Sequence, residues 1–236
     1  MKFEDWEPHY QKILDFFGFD RTGDEDAAVL ARSLTDKDDI AALTAAIKGR
    51  KVTVCGNAPS LSDDLRLGRR IRRGDGADKS NNAGNAIAAG TSNTSDGTGE
   101  VIFAADAAAD RLFKKGIRPD IVSTDLDGCE DTFLEMNRAG TIMVVHAHGD
   151  NVPLIKSWIP RFEGPLVLTT QSRPFEGMYN FGGFTDGDRA VFAADELGAA
   201  GITLAGFDLD DKNVVPMKHG KLMIARDLLA LLDFRA

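Results

Sequence analysis

Asp120-Ile-Val-Ser-Thr-Asp-Leu-Asp-Gly128 runs from a short apolar strand straight into two carboxylates and a glycine. The same pattern recurs on either side of it. Upstream, Val52-Thr-Val-Cys55 leads into Gly56-Asn-Ala-Pro-Ser-Leu61, and Val101-Ile-Phe-Ala-Ala105 leads into a helix through Asp110 and Leu112. Downstream, Ile142-Met-Val-Val145 leads into His146-Ala-His-Gly-Asp-Asn151. Leu166-Val-Leu-Thr-Thr170 precedes a long loop that ends in Thr185-Asp-Gly-Asp-Arg189, and Ile202-Thr-Leu-Ala205 runs into Gly206-Phe-Asp-Leu-Asp210. A last helix is expected over 221–232. Short apolar strands alternating with helices predict a doubly wound, mostly parallel α/β sheet of Rossmann-like type. Right-handed crossovers then put the post-strand loops on one edge, where open sheets bind ligands.

Residues 1–49 carry no strand signal and read as a small helical unit, with the α/β domain expected over 50–236. Trp6, Tyr10, Ile13, Leu14 and Phe17 recur at helical spacing. A second helix is expected from Asp24 to Leu34, and a third opens at Asp38-Asp39 and closes at Lys48-Gly49. At about 68–99 the rhythm breaks. Arg69-Arg-Ile-Arg-Arg73 is followed by a tract of Gly, Asn, Ser, Thr and Ala that lacks apolar surface to bury, and it reads as a mobile insertion.

The formal charge of −9 on 236 residues argues against a nucleic-acid surface, which needs clustered Lys and Arg. No apolar run approaches the roughly 20 residues that span a bilayer, and no secretory h-region opens the chain, so a cytoplasmic protein is expected. Cys55 and Cys129 form no close-spaced motif and are expected to stay reduced. Asp exceeds Glu and Arg exceeds Lys, an acidic balance that suits either a salt-adapted surface or an ordinary acidic protein.

The loops carry the chemistry. Alternation along an extended segment puts Asp125 and Asp127 on one side, where they can share a metal or start a turn at Gly128. Carboxylates gathered from several loops repel one another unless a hard divalent cation sits among them, so Mg²⁺ is expected. His146-Ala-His-Gly-Asp150 has the look of a zinc site, but only His9 and His219 remain as further histidines, and a polar loop meeting phosphates fits better. Asp150 is also a candidate N-cap. In Thr185-Asp-Gly-Asp-Arg189, Thr185 or Asp186 suits an N-cap, while Asp188 and Arg189 pair a carboxylate with an arginine as phosphoryl chemistry does. Gly56-Asn-Ala-Pro-Ser-Leu61 is a tight turn whose Ser can cap a helix or whose N–H groups can meet an anion.

Taken in order, these motifs, together with Arg118-Pro at the head of the third strand and Asn180-Phe-Gly-Gly-Phe before Thr185, resemble the archaeal 6-hydroxymethyl-7,8-dihydropterin pyrophosphokinases, which look distantly related to thiamine pyrophosphokinases. Two departures stand out: Asp106-Ala-Ala-Ala109, where a Gly would follow the Asp, and the long insertion. The resemblance implies transfer of the β,γ-diphosphate of ATP to the hydroxymethyl oxygen of a reduced pterin, releasing AMP, in methanopterin or folate synthesis. It implies that Asp125, Asp127 and Asp188, with Asp186, serve the metal and catalysis. Gly56, Asn57, Pro59, Ser60 and Asp106 are expected at nucleotide or phosphate, and Arg189, with Arg173 or Lys218, against developing charge. His146, His148, Asp150, Asn151, Gln171, Asn180 and Phe181 are the candidates for the pterin. The partners implied are ATP and the pterin, with no nucleic acid or membrane, and a homodimer is a candidate assembly; the sequence assigns no role to the helical unit.

Two other readings remain open at this point. Asp125-Leu-Asp127 is also the DxD of nucleotide-sugar glycosyltransferases, which would take a uridine or cytidine diphosphate sugar. A non-catalytic nucleotide-binding protein would hold ATP without releasing AMP.

Overall fold

Val101–Ala105, Ile121–Thr124, Ile142–Ala147 and Leu166–Thr170 are buried at every position, as strands covered on both faces must be. They are β3, β4, β5 and β6 of a sheet that also holds Lys51–Cys55 (β1), Ile71–Arg72 (β2) and Gly201–Ala205 (β7). The computed structural model describes residues 1–67, 71–72 and 100–234. Strand order is β2-β7-β1-β3-β4-β5-β6, parallel throughout except for β2, which runs antiparallel along β7 at the edge. The doubly wound parallel α/β architecture expected from the strand and helix rhythm is the one observed.

Successive side chains on a strand face opposite ways, so the sheet builds two cores. Val54, Phe103, Ile121, Val144 and Val167 meet helices Phe3–Phe17 (α1), Ile40–Ile47 (α3), Asp186–Glu196 (α8) and Pro216–Ala230 (α9). On the other face, Cys55, Ala104, Val122, Val145 and Leu168 meet Arg21–Ser33 (α2), Leu61–Leu67 (α4), Ala107–Phe113 (α5), Asp131–Arg138 (α6) and Val152–Trp158 (α7). The three N-terminal helices thus divide between the faces. Trp6, Tyr10, Leu43 and Ile47 are fully buried, and each aliphatic one of these contributes about 1.5–3 kcal/mol to folding. The loop after β6 crosses the top of the sheet and delivers α8 beneath β1, β3 and β4. That crossing brings the N-terminus of α8 to the strands' carboxyl ends.

Several boundaries differ from the sequence reading. β5 continues two residues further, so His146 is a strand residue paired with Thr169 rather than a loop residue. α2 starts at Arg21, capped by Asp20, whose side chain accepts from Thr22 N at 3.1 Å; Asp24 therefore lies inside the helix. α9 starts at Pro216, which supplies the fixed φ and missing N–H that suit a first helical position. β2 was not expected: its pairing of Ile71 with Leu204 and Arg72 with Thr203 is a non-local contact that two residues cannot announce. Arg69, Arg70 and Arg73, and the tract to Gly99, lie outside the described residues.

Candidate active site

Parallel register lines up the strand ends. Cys55 pairs with Ala104 and Ala205, Ala105 with Ser123, Thr124 with Val145, and Ala147 with Thr170. The residues just beyond are therefore neighbours along one edge: Gly56, Asp106, Asp125, His148, Gln171 and Gly206. From β3 and β4 come three carboxylates, Asp106, Asp125 and Asp127, each with an oxygen within 4.8 Å of the others.

Local geometry holds them there. Thr124 Oγ1 donates to Asp106 Oδ1 at 2.8 Å and accepts from Leu126 N at 2.8 Å, which ties the strand ends and turns the chain after Asp125. Asp127 N donates to Asp125 Oδ1 at 3.2 Å. Asp106 sits at φ 45°, ψ −127°, a conformation that costs a non-glycine residue about 1–3 kcal/mol. Its N–H bond to Ser123 O at 2.7 Å and the Thr124 bond oppose that cost. The carboxylate rests against Gly128, where a Cβ would lie 2.2 Å from Asp106 Oδ2.

The cluster is electrostatically divided. Burial pushes the Asp106 carboxyl above its ordinary range, against hydrogen bonds from Thr124 and the Ala107 N–H. Burial also works against ionisation of Asp125, but His148, the Arg189 guanidinium and the Asp127 N–H outweigh it and hold that carboxyl low. Asp127, the exposed member of the three, is raised to about 6 by partial loss of hydration beside its neighbours and by the charges of Asp125 and Asp106. Burial, then the charge of Asp125, carries Asp186 well above the usual carboxylate range. Crowded carboxylates of this kind, with acceptor oxygens to spare, match the ligand chemistry of a hard cation such as Mg²⁺.

The start of α8 separates two aspartates that sequence reading treated together. Asp188 Oδ1 accepts from Thr185 N at 2.7 Å and from Thr185 Oγ1, and Oδ2 accepts from Phe184 N at 2.7 Å. It is the inward partner of a capping box, with both oxygens engaged by the start of α8. Asp106, expected at the nucleotide, gathers with Asp125 and Asp127. Asp186, two residues earlier, keeps a buried Oδ1 without a hydrogen-bond partner among the described residues, 3.7 Å from Arg189 Nη1. Arg189 Nη2 donates to Gln171 Oε1 at 3.2 Å. Gly183, at φ +88°, allows the tight approach: a Cβ there would fall 2.6 Å from Arg189 N.

His146 is buried, its Nδ1 3.1 Å from Thr169 Oγ1, and burial with the nearby Arg189 charge keeps the ring neutral. His148 Nε2 lies 3.6 Å from Asp125 Oδ2, while its Nδ1 accepts from Asp150 N at 3.3 Å. The cap of this turn is therefore His148, and Asp150 is exposed. Asn151 is a clasp: its Nδ2 donates to Asp125 O and His146 O, both at 2.7 Å, and its Oδ1 accepts from His148 N at 3.0 Å.

The other candidates make contacts of their own. Ser60 Oγ donates to Asp64, Asn57 and Pro59 are exposed, and Gly56 backs onto Gly206, where a Cβ would meet Gly206 O at 2.6 Å. Asn180 ties its own loop through Gln171 O and Ser172 O, and Phe181 is in the core beside Tyr179. Arg173 stacks on Phe3 at 4.7 Å. Lys218 is exposed in the first turn of α9. Lys221, one turn further on, is the lysine whose charge reaches Asp127. Sequence reasoning missed Lys221, Thr124 and Asp24. Only Thr124 had a visible signal, as the hydroxyl directly before the first carboxylate of the motif.

Residues 96–214 match the family described as 6-hydroxymethylpterin diphosphokinase MptE-like. The chain is also similar to three archaeal proteins, each named 6-hydroxymethyl-7,8-dihydropterin pyrophosphokinase. The one from Pyrococcus furiosus is 37% identical over 246 residues, covering 97% of this chain and 93% of that protein. The one from Methanothermobacter thermautotrophicus is 36% identical over 212 residues, covering 89% and 80%. The one from Methanocaldococcus jannaschii is 32% identical over 215 residues, covering 88% and 80%.

Proposed function

The chain belongs to the MptE-like 6-hydroxymethylpterin diphosphokinase family, and we propose that it transfers diphosphate from ATP to 6-hydroxymethyl-7,8-dihydropterin. The pterin's hydroxymethyl oxygen attacks the β-phosphorus of ATP and loses its proton. The bond from that phosphorus to the bridging oxygen of the α-phosphate breaks, and AMP leaves. What carries the reading is the gathering of Asp106, Asp125 and Asp127 beside Arg189 at the carboxyl edge, in a chain whose relatives bear that name. The glycosyltransferase and the idle nucleotide-binding readings draw no support from those relatives.

Phosphoryl transfer is accelerated mainly by positioning and by neutralising charge. Asp106, Asp125 and Asp127 would hold Mg²⁺, with Asp186 beside them; bound there, the ion neutralises phosphate oxygens. Arg189 offers planar N–H donors to the transferred group, and Lys221 adds positive charge close to Asp127. His148 and Asn151 keep Asp125 in line from β5. His146, kept neutral by burial, lies beside Gln171, and its buried Nε2 makes no well-formed hydrogen bond among the described residues, which leaves it a candidate polar contact for the substrate.

Product analysis by chromatography tests the reading. Purified protein with ATP, Mg²⁺ and the dihydropterin, kept reduced and anaerobic, at low and at high salt, is expected to form AMP and pterin diphosphate in equal amounts. ADP in place of AMP would make the protein a simple kinase. No pterin-dependent turnover at either salt would overturn the proposal.

A further inference from the structure

Asp24 is a buried carboxylate on α2, outside the Asp106–Asp125–Asp127 cluster, yet it is hydrogen-bonded to the side chain that meets Arg189 and to the turn that carries His148. Its Oδ2 accepts from Tyr10 OH at 2.6 Å and from Gln171 Nε2 at 2.7 Å, and its Oδ1 accepts from Gly149 N at 2.9 Å. We propose that Asp24 is a positioning residue for Arg189, acting through the side-chain amide of Gln171. The proposal rests on the part given to Arg189 above.

An ionised carboxylate only accepts hydrogen bonds, a guanidinium only donates them, and an amide does one at each end. Facing Asp24, Gln171 must present its NH₂. Its oxygen is then turned to Arg189, where Nη2 lies 3.2 Å away. The two neighbours demand the same amide orientation, so Gln171 offers Arg189 Nη2 a fixed acceptor, while Asp186 Oδ1 lies 3.7 Å from Nη1. The backbone of Gln171 is pinned as well, its carbonyl accepting from Trp6 Nε1 at 2.8 Å and Asn180 Nδ2 at 3.0 Å. Arg189 Nε has no hydrogen-bond partner among the described residues, so the guanidinium keeps donor capacity for a ligand while one end is held. Through Gly149, the same carboxylate steadies the turn whose His148 lies 3.6 Å from Asp125.

In Asp24→Asn, the NH₂ of the new amide would face Gln171 and turn that side chain around, setting its NH₂ against the guanidinium. In Gln171→Glu, two carboxylates would meet. Exchanging the groups repairs both faults. The amide introduced on α2 would donate to one oxygen of the carboxylate introduced after β6, and the other oxygen would accept from Arg189.

The test compares Asp24→Asn, Gln171→Glu and the double exchange with wild type, in kcat, in KM for the pterin, and in melting temperature. Loss of a hydrogen bond to a charged group predicts a fall in kcat of about tenfold to a hundredfold in each single variant, with KM little changed. The exchange should recover most of that loss. A role confined to stability would lower the melting point and leave kcat of the folded fraction alone, which would overturn the proposal. So would an exchange no more active than its singles. Should Asp24→Asn fail to fold, the recovery from Gln171→Glu to the exchange still decides. If wild type makes no pterin diphosphate, calorimetry with Mg²⁺ and inorganic pyrophosphate separates the two ideas. The same order of affinities would support Asp24 as the positioning residue, and equal affinities or no wild-type binding would sink it.

Discussion

A Cβ on Gly128 would lie 2.2 Å from Asp106 Oδ2, so the glycine that ends the motif on β4 makes room for the carboxylate that follows β3. Gly128 has no positive φ, so alanine is acceptable to its backbone. Gly128→Ala should therefore fold, with an overpacking cost of about 1–3 kcal/mol. The displaced Asp106 should weaken Mg²⁺ binding by about tenfold or more, the equivalent of about 1.4 kcal/mol. Calorimetric titration with Mg²⁺ reads this directly, and unchanged affinity would remove Asp106 from the cation's ligands.

Asp127 carries the repulsion of two neighbouring carboxylates. Asp127→Asn relieves that repulsion, so the ion-free variant should melt no lower than wild type. It should nevertheless lose nearly all turnover, because a neutral amide binds a hard cation poorly. Half of wild-type activity would be incompatible with a ligand role.

Partial desolvation and the charges of Asp125 and Asp106 raise the Asp127 carboxyl to about 6 in the folded chain, from an ordinary 3.8. The folded state thus holds the proton more tightly than the unfolded one. The contribution to ion-free stability is full below about pH 3.8 and is lost as pH rises through about 6. Asp125, shifted the other way, stays ionised across that upper range. With chelator present, melting temperature is therefore expected to fall as pH is raised across 6. Mg²⁺ affinity should do the opposite, weakening as pH drops through 6, because protons compete for the carboxylate. Asp127→Asn should flatten both profiles, and profiles unchanged by that substitution would assign the titration elsewhere.

Asp188 and Asp186 should separate cleanly. Asp188 satisfies Phe184 N and Thr185 N at the start of α8, and losing a cap costs about 0.5–2 kcal/mol. Asp188→Ala should lower the melting temperature, with Mg²⁺ affinity of the folded protein kept within about threefold, well under 1 kcal/mol. Asp186→Asn should do the reverse, relieving a buried carboxylate while lowering kcat. Melting curves and kcat for the two variants decide between these assignments.

Much of this was legible along the chain. Apolar runs such as Val101–Ala105 and Leu166–Thr170 announced buried parallel strands, because a strand covered on both faces has no polar side to show. Asp125 and Asp127 were visible because both lie in one loop directly after such a strand. The edge strand β2 and the true start of α2 were not, since the first depends on pairing with β7 and the second on which of several acids does the capping.

By itself the sequence determined the class of fold, the edge at which the loops meet and the family, because periodicity and motif order are local properties of the chain. Which aspartates share the cluster was decided only by tertiary structure. Asp106 and Asp188 are both acids just beyond a strand or at a helix start, and nothing near either in sequence tells them apart. One is turned to Asp125 by the register of β3 on β4 and by the space at Gly128; the other is turned inward by the N–H groups at the start of α8 that it satisfies. Asp24 belongs to the same category. Its partners Gln171 and Gly149 are 147 and 125 residues away, and hydrogen bonds across such distances exist only once the sheet has brought their elements together.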